Sequence, residues 1–216
     1  LVNLVEKDDK KVGGTKMSVE IYGVIEGLKE DKWHFIREID VDQSYDSFGS
    51  LFGVKNYTNL PPIAPARGIP EDASEETKIL YKASIIRCNS IFGETYITQS
   101  EIENIDWEEE AENYDDRVHT FVKGIEGWIP DGKTLYTIYS NEKGKIIISK
   151  DTMLEKGKTE MIVGGKLYKL KKLKRKECLT QSWLWLFYEM KELKKQYNEV
   201  RLIVWFSGRT DEEKGD

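Results

Sequence analysis

Apolar and polar residues alternate through "SVEIYGVI", Ser18 to Ile25, pause over a polar stretch from Gly27 to Lys32, and resume in "WHFIRE". A period of two sends successive side chains to opposite faces of a strand, so the pattern predicts a β-hairpin. The period then lengthens. In "SYDSFGSLFGV", residues 44–54, Tyr45, Phe48, Leu51 and Phe52 recur at helical spacing behind Ser44, a good N-cap, and Gly53 is placed to end the helix. A second helix is predicted after Ser74, in "EETKILYKASII". Its first turn is acidic, and Ile79, Leu80, Ala83 and Ile86 share the face expected to meet the core.

"ETYITQSEIENIDW" joins a short strand to a third helix, because Thr98 and Glu101 have the spacing of a capping box. Residues 106–117 form a dense acidic run, read as a solvated face or loop. From Thr134 the pattern returns to β: "TLYTIYSNEKGKIIIS" predicts a hairpin around Asn141–Gly144, and "EMIVGGKLYKL" another around Gly164-Gly165. "SWLWLFYEMKELKKQY" places Trp183, Phe187, Met190, Leu193 and Tyr197 on one helical stripe. "VRLIVWF", Val200–Phe206, is apolar on both faces, as a central strand should be.

Strands and helices follow one another here without the regular alternation of a doubly wound protein. The expectation is an α+β fold whose mixed or mainly antiparallel sheet includes the first hairpin and Val200–Phe206. Residues 17–216 are read as one domain with a β-rich insertion at about 124–176. Residues 1–16, "LVNLVEKDDKKVGGTK", show no periodicity. Two readings of them stay open: a disordered tail, or a translated leader, since Gly13-Gly14 can be encoded by a ribosome-binding sequence ahead of Met17.

Composition removes several classes of function. The chain has 216 residues, 39% hydrophobic and 33% charged, with a net charge of −6 and a pI near 5.3. That balance disfavours broad binding to nucleic acid or membranes, where counterion release requires a basic surface. Cys88 and Cys178 are far apart, and the only histidines are His34 and His119, so no zinc spacing exists and no cofactor motif stands out. No apolar run approaches the roughly 20 residues of a membrane helix. Reduced thiols and a soluble, cytoplasmic protein are the expectation.

Chemistry concentrates in "NLPPIAPARGIPEDAS", Asn59 to Ser74, which holds four of the five prolines. Pro61, Pro62, Pro65 and Pro70 fix the backbone and bar helix before them, so this connector is rigid and extended. A side chain mounted on it is ordered at low entropic cost. Arg67 is that side chain: its planar fork suits a carboxylate, a phosphate or the neighbouring Asp72. Two roles stay open, a ligand contact and an internal Arg67–Asp72 brace. Asn56 and Tyr57, and Asp46 on the helix before them, complete the candidate ligand-binding set.

"YDSFGSLFGVKNYTNLPPIAPARGIPEDAS" resembles a pattern in a family of phage, prophage and some chromosomal bacterial proteins. There a tyrosine–aspartate–phenylalanine helix leads through "GV(R/K)NY" to "PPI", "PRG(L/I)P" and an acidic serine cap. Weaker similarity continues in "YITQSEIENIDW" and "VRLIVWFS". About half the chain is covered, and Ala66 separates Pro65 from Arg67 where the pattern has proline next to arginine. The resemblance implies a phage or mobile-element origin and work inside a bacterial host cell. It implies no particular reaction.

The leading expectation is therefore a non-enzymatic binding protein, of an anti-defence kind, that sequesters a small anionic, nucleotide-like signal or binds a host protein. A metal-dependent enzyme acting on a phosphate-bearing substrate is the alternative, with Asp46, Asp72, Glu101 and Asp106 as hard-cation ligands. Its weakness is that no Walker loop, HExxH or G-x-S-x-G is present. A third reading is an interaction module, in which the basic run Lys166–Lys176 docks nucleic acid or an acidic partner, or neutralises the stretch Glu101–Asp116 of its own chain or of a second copy.

Overall fold

The structure, a computed structural model, describes residues 18–88 and 90–209. The segment 1–16 lies outside them. The chain opens with β1 (Ser18–Lys29) and β2 (Lys32–Glu38), joined by Glu30 and Asp31, both at positive φ. That is the backbone a two-residue hairpin turn demands. Helix α1 (Tyr45–Phe52) starts where the Ser44 side chain accepts from the Ser47 N–H and stops at Gly53, whose φ of 79° a side chain would oppose. Then come α2 (Glu75–Arg87), β3 (Ile91–Thr98) and α3 (Gln99–Glu103), the last opened by the expected Thr98/Glu101 capping box.

A β-rich stretch follows: β4 (Val118–Lys123), β5 (Trp128–Thr134), β6 (Tyr136–Asn141), β7 (Gly144–Ser149), α4 (Lys150–Glu155), β8 (Glu160–Val163) and β9 (Lys166–Lys169). The chain ends its described part with a 3-10 turn (Arg175–Cys178), α5 (Gln181–Leu193) and β10 (Glu199–Arg209). The fold is α+β, and every strand pairing is antiparallel.

The chain divides into two compact units. One comprises Leu60–Glu109 with the described parts of Gly14–Asn56 and Lys174–Asp216, and the other Tyr57–Asn59 with Glu110–Leu173. The sequence pattern begins the β-rich segment at about 124, whereas the unit starts earlier because β4 pairs with both β5 and β9. Its strands form one sheet in the order β5-β4-β9-β8 and a separate β6-β7 hairpin. Pro130, which has no N–H to donate, sits on the edge strand β5. Val118, Ile148, Met153, Tyr168 and Leu170 fill the core of this unit.

The other unit is built on a sheet ordered β2-β1-β10-β3. The last described strand, β10, is internal, which is why Val200–Phe206 is apolar on both faces. Even positions Val200, Leu202, Val204 and Phe206 join Phe48, Phe52, Trp183 and Phe187 of α1 and α5. Ile203 and Trp205 join Val24, Leu80 and Tyr81 on the α2 side. The stripe predicted for α5 is in the core.

Of the face predicted for α2, Leu80 packs on this core, but Ile79 and Ile86 do not. Ile79 is 64% and Ile86 83% exposed, while Thr77 and Ser84 are buried. Polar anchors set the helix rotation: Ser74 N and Thr77 Oγ1 donate to buried Glu26 at 2.9 and 2.6 Å, and the Tyr81 hydroxyl donates to Glu94 at 2.6 Å. Turning the isoleucines inward would leave a buried carboxylate short of donors, which costs more than an exposed methyl group.

Candidate functional site

The proline connector is fastened by backbone groups. Ala64 N–H donates to Leu51 O at 2.8 Å, Thr95 Oγ1 donates to Ala64 O at 2.7 Å, and Gly68 N–H donates to Glu94 O at 2.8 Å. Asn56, predicted to face a ligand, donates through Nδ2 to Leu60 O at 2.7 Å and holds the connector's first turn. Leu60 and Ala64 are buried. These bonds fasten the proline-rich stretch at both ends of Leu60–Gly68.

Arg67 is anchored by three partners. Its Nη1 donates to Glu101 Oε1 at 2.7 Å and to Tyr96 O at 3.3 Å, and its Nη2 donates to Ile63 O at 3.1 Å. The guanidinium also lies 5.5 Å from the Tyr96 ring centroid. Glu101 is thereby shared between the α3 capping box and Arg67. Burial alone would raise its pKa, but the Thr98 N–H and the Arg67 guanidinium outweigh that and lower it.

Asp72 is not the partner of Arg67. Its Oδ1 accepts from Arg201 Nη1 at 2.8 Å and its Oδ2 from Trp33 Nε1 at 3.0 Å. Arg201, buried, lies over Trp33 with its central carbon 3.8 Å from the ring centroid. Nε of Arg201 donates to Glu26 at 2.9 Å, and its Nη2 sits 2.8 Å from Glu26 Oε2 as an ion contact outside hydrogen-bond geometry. Partial burial would raise the Asp72 pKa, yet the Arg201 and Trp33 bonds prevail and lower it. Glu26 and Arg201 face each other across β1 and β10. Neither residue stood out in the sequence, because the pairing spans nearly the whole chain.

Asp46 lies in the first turn of α1, where a carboxylate complements the helix dipole. Tyr57 belongs to the β-rich unit, where its carbonyl accepts from Asp116 N–H at 2.8 Å and its ring lies 5.1 Å below the Arg117 guanidinium. Asp46, Asp72, Glu101 and Asp106 form no metal-binding cluster; among the described residues no group of three or more histidine, cysteine, aspartate or glutamate side chains is arranged to hold an ion.

The basic run is largely answered within the chain. Lys174 pairs with Glu108 at 2.9 Å, Lys176 also pairs with Glu108, and Lys166 with Asp131 at 3.0 Å. Arg175, read in the sequence as one cation among many, is 1% exposed and donates to Ser50 O, Pro61 O and Glu109. It clamps α1 to the connector. The acidic run is likewise not all solvated: Asp115 is buried, taking two Arg117 side-chain bonds at 2.9 and 2.8 Å and meeting His119 Nε2 at 3.1 Å.

The described residues form a shallow groove and a smaller cavity. A groove of about 570 Å³ in the β-rich unit is lined by Leu135, Tyr136, Ile147, Lys150 and Asp116, but Lys150 and Asp116 pair with each other at 2.6 Å. A cavity of about 120 Å³ beside α2 is lined by Tyr22, Glu38, Ser84, Arg87, Cys88 and Trp205.

Among the described residues the largest aromatic exposure is on α5. Trp185 is 62%, Tyr188 56% and Leu184 47% exposed, and the two rings meet edge to face at 6.1 Å. These residues occupy the side opposite Trp183, Leu186, Phe187 and Met190. Compared with protein-family models, curated proteins and solved structures, the chain matches none. No helix among the described residues is long and apolar enough to cross a membrane.

Proposed function

We propose that this chain is a non-enzymatic binding protein of phage or mobile-element origin that docks a protein of the bacterial host on the outer face of α5. The observation that carries the reading is the exposed cluster of Leu184, Trp185 and Tyr188. Tryptophan and tyrosine dominate the energetics of protein interfaces, where a few rings are fully desolvated inside a polar rim. Here the rim is Lys191, Gln181 and the Arg37–Glu189 pair. The helix is held rigid from behind by the core, so docking would order little. The host assignment rests on the resemblance to phage and prophage proteins.

A small anionic ligand at Arg67 is the weaker version of the same binding function. All three of its described bonds go to protein acceptors, so an anion would have to displace Glu101. Photo-crosslinking tests the protein reading. The full chain carrying a photoreactive phenylalanine at Tyr188 should form a discrete adduct with one host protein, and Trp185→Ala in the same chain should remove it. The same probe at exposed Lys29 should not form it. Equal adducts from both positions, or adducts untouched by Trp185→Ala, would defeat the proposal.

A further inference from the structure

The outward face of α2 is as unusual as that of α5, and it differs in chemistry. Ile79 is 64%, Ile85 48% and Ile86 83% exposed, and Ala83 lies between Ile79 and Ile86 on the same side. The helix's own interior face is anchored by Thr77 and Ser84, so nothing in the packing requires β-branched side chains outside. A helix whose more apolar stripe points to solvent has that stripe available for a partner.

We propose that this stripe is a twofold interface between two copies of the chain, α2 against α2 in antiparallel sense. Three features select a second copy as the occupant. The stripe is self-complementary: a twofold axis passing between Lys82 and Ala83 sets Ile79 of one copy opposite Ile86 of the other, as an isologous contact requires. Ala83 falls next to the crossing point, where a small side chain lets two helices approach closely and the flanking isoleucines interdigitate. The charges also match. Glu75 and Glu76 occupy the first turn and Arg87 the last, all exposed, so the antiparallel arrangement brings Glu76 of each copy toward Arg87 of the other and opposes the two helix dipoles. A parallel pairing would set like charges together at both ends. The contact is small and its affinity modest, so the dimer should form at high micromolar concentration. It leaves the α5 face free and does not depend on the function proposed for it.

Sedimentation of the full chain tests this directly. The wild type should shift with concentration from its 25.1 kDa monomer toward twice that mass. Ile86→Asp should remain monomeric at all concentrations with an unchanged melting temperature, since its side chain is exposed in the single chain. Glu76→Arg and Arg87→Glu should each weaken dimerisation by about tenfold, because each creates repulsion twice across the symmetry axis, and the double variant should recover to within about threefold of wild type. A wild type that stays monomeric overturns the proposal. So does a double variant no better than either single one, which would place the contact elsewhere. A large fall in the melting temperature of Ile86→Asp overturns it as well, because the stripe would then be covered by the chain itself.

Discussion

Arg67 reaches Glu101, 34 residues further along, at 2.7 Å, and through it ties the proline connector to the capping box of α3. The ion pair is open to solvent and by itself worth under about 1 kcal/mol, but the same guanidinium also serves the Tyr96 and Ile63 carbonyls. Arg67→Ala should therefore lower stability by about 1–2 kcal/mol in urea unfolding. Arg67→Lys should recover only part of this, since an ammonium cannot span three acceptors in a plane. Arg67→Ala and Glu101→Gln combined should cost less than the sum of the two, and strict additivity would refute the coupling.

Glu26 and Arg201 are a buried pair whose removal is asymmetric. Glu26→Ala strands a buried guanidinium and also takes the acceptor from Ser74 and Thr77, so a loss of about 3–5 kcal/mol is expected. Replacing both, Glu26→Leu with Arg201→Met, should be milder than Glu26→Ala alone. Chemical denaturation of the three variants reads this out, and a double variant worse than the single would show the pair contributing more than its desolvation cost.

Trp183 and Trp185 are two residues apart on α5 and should behave oppositely. Trp183 is fully buried between Phe48, Phe52 and Phe187, so Trp183→Ala should cost about 3–5 kcal/mol. Trp185→Ala, at an exposed site, should stay within about 0.5 kcal/mol of wild type while removing the crosslinked adduct. Melting curves of both settle the first half.

Asp115 should make the β-rich unit acid-sensitive in a defined window. Its burial would raise the carboxyl pKa, but His119 and Arg117 outweigh that and hold it down at about 2 against an ordinary 3.8. A depressed carboxylate pKa stabilises the fold fully above the unfolded value and loses that contribution as pH falls through the folded one. The loss should be on the order of 2 kcal/mol between about pH 4 and pH 2. Asp115→Asn should flatten this part of the stability–pH curve, as followed by the signal of the β-rich unit, and a curve unchanged by the substitution would contradict the assignment.

The local elements were legible because their determinants lie within a few residues of each other. Ser44 and Thr98 accept bonds three residues ahead, the two-residue turns Glu30-Asp31 and Gly164-Gly165 reverse the chain on the spot, and the unbroken apolar run of β10 identifies an internal strand wherever it occurs. The sequence by itself thus determined an α+β protein, its first hairpin, the core stripe of α5 and a stiff connector around Arg67. What the tertiary structure alone decided is which charge meets which. Arg67 bonds Glu101 and not the nearer Asp72, Asp72 belongs to Arg201, and Arg175 is a buried clamp in what reads as a solvated basic run. The rotation of α2 belongs to the same class: periodicity put Ile79 and Ile86 inside, and the requirement to satisfy Glu26 put them outside. Hydrophobic spacing reports only the average tendency of a face to leave water, whereas a buried carboxylate must find specific donors, and those donors come from wherever the folded chain brings them.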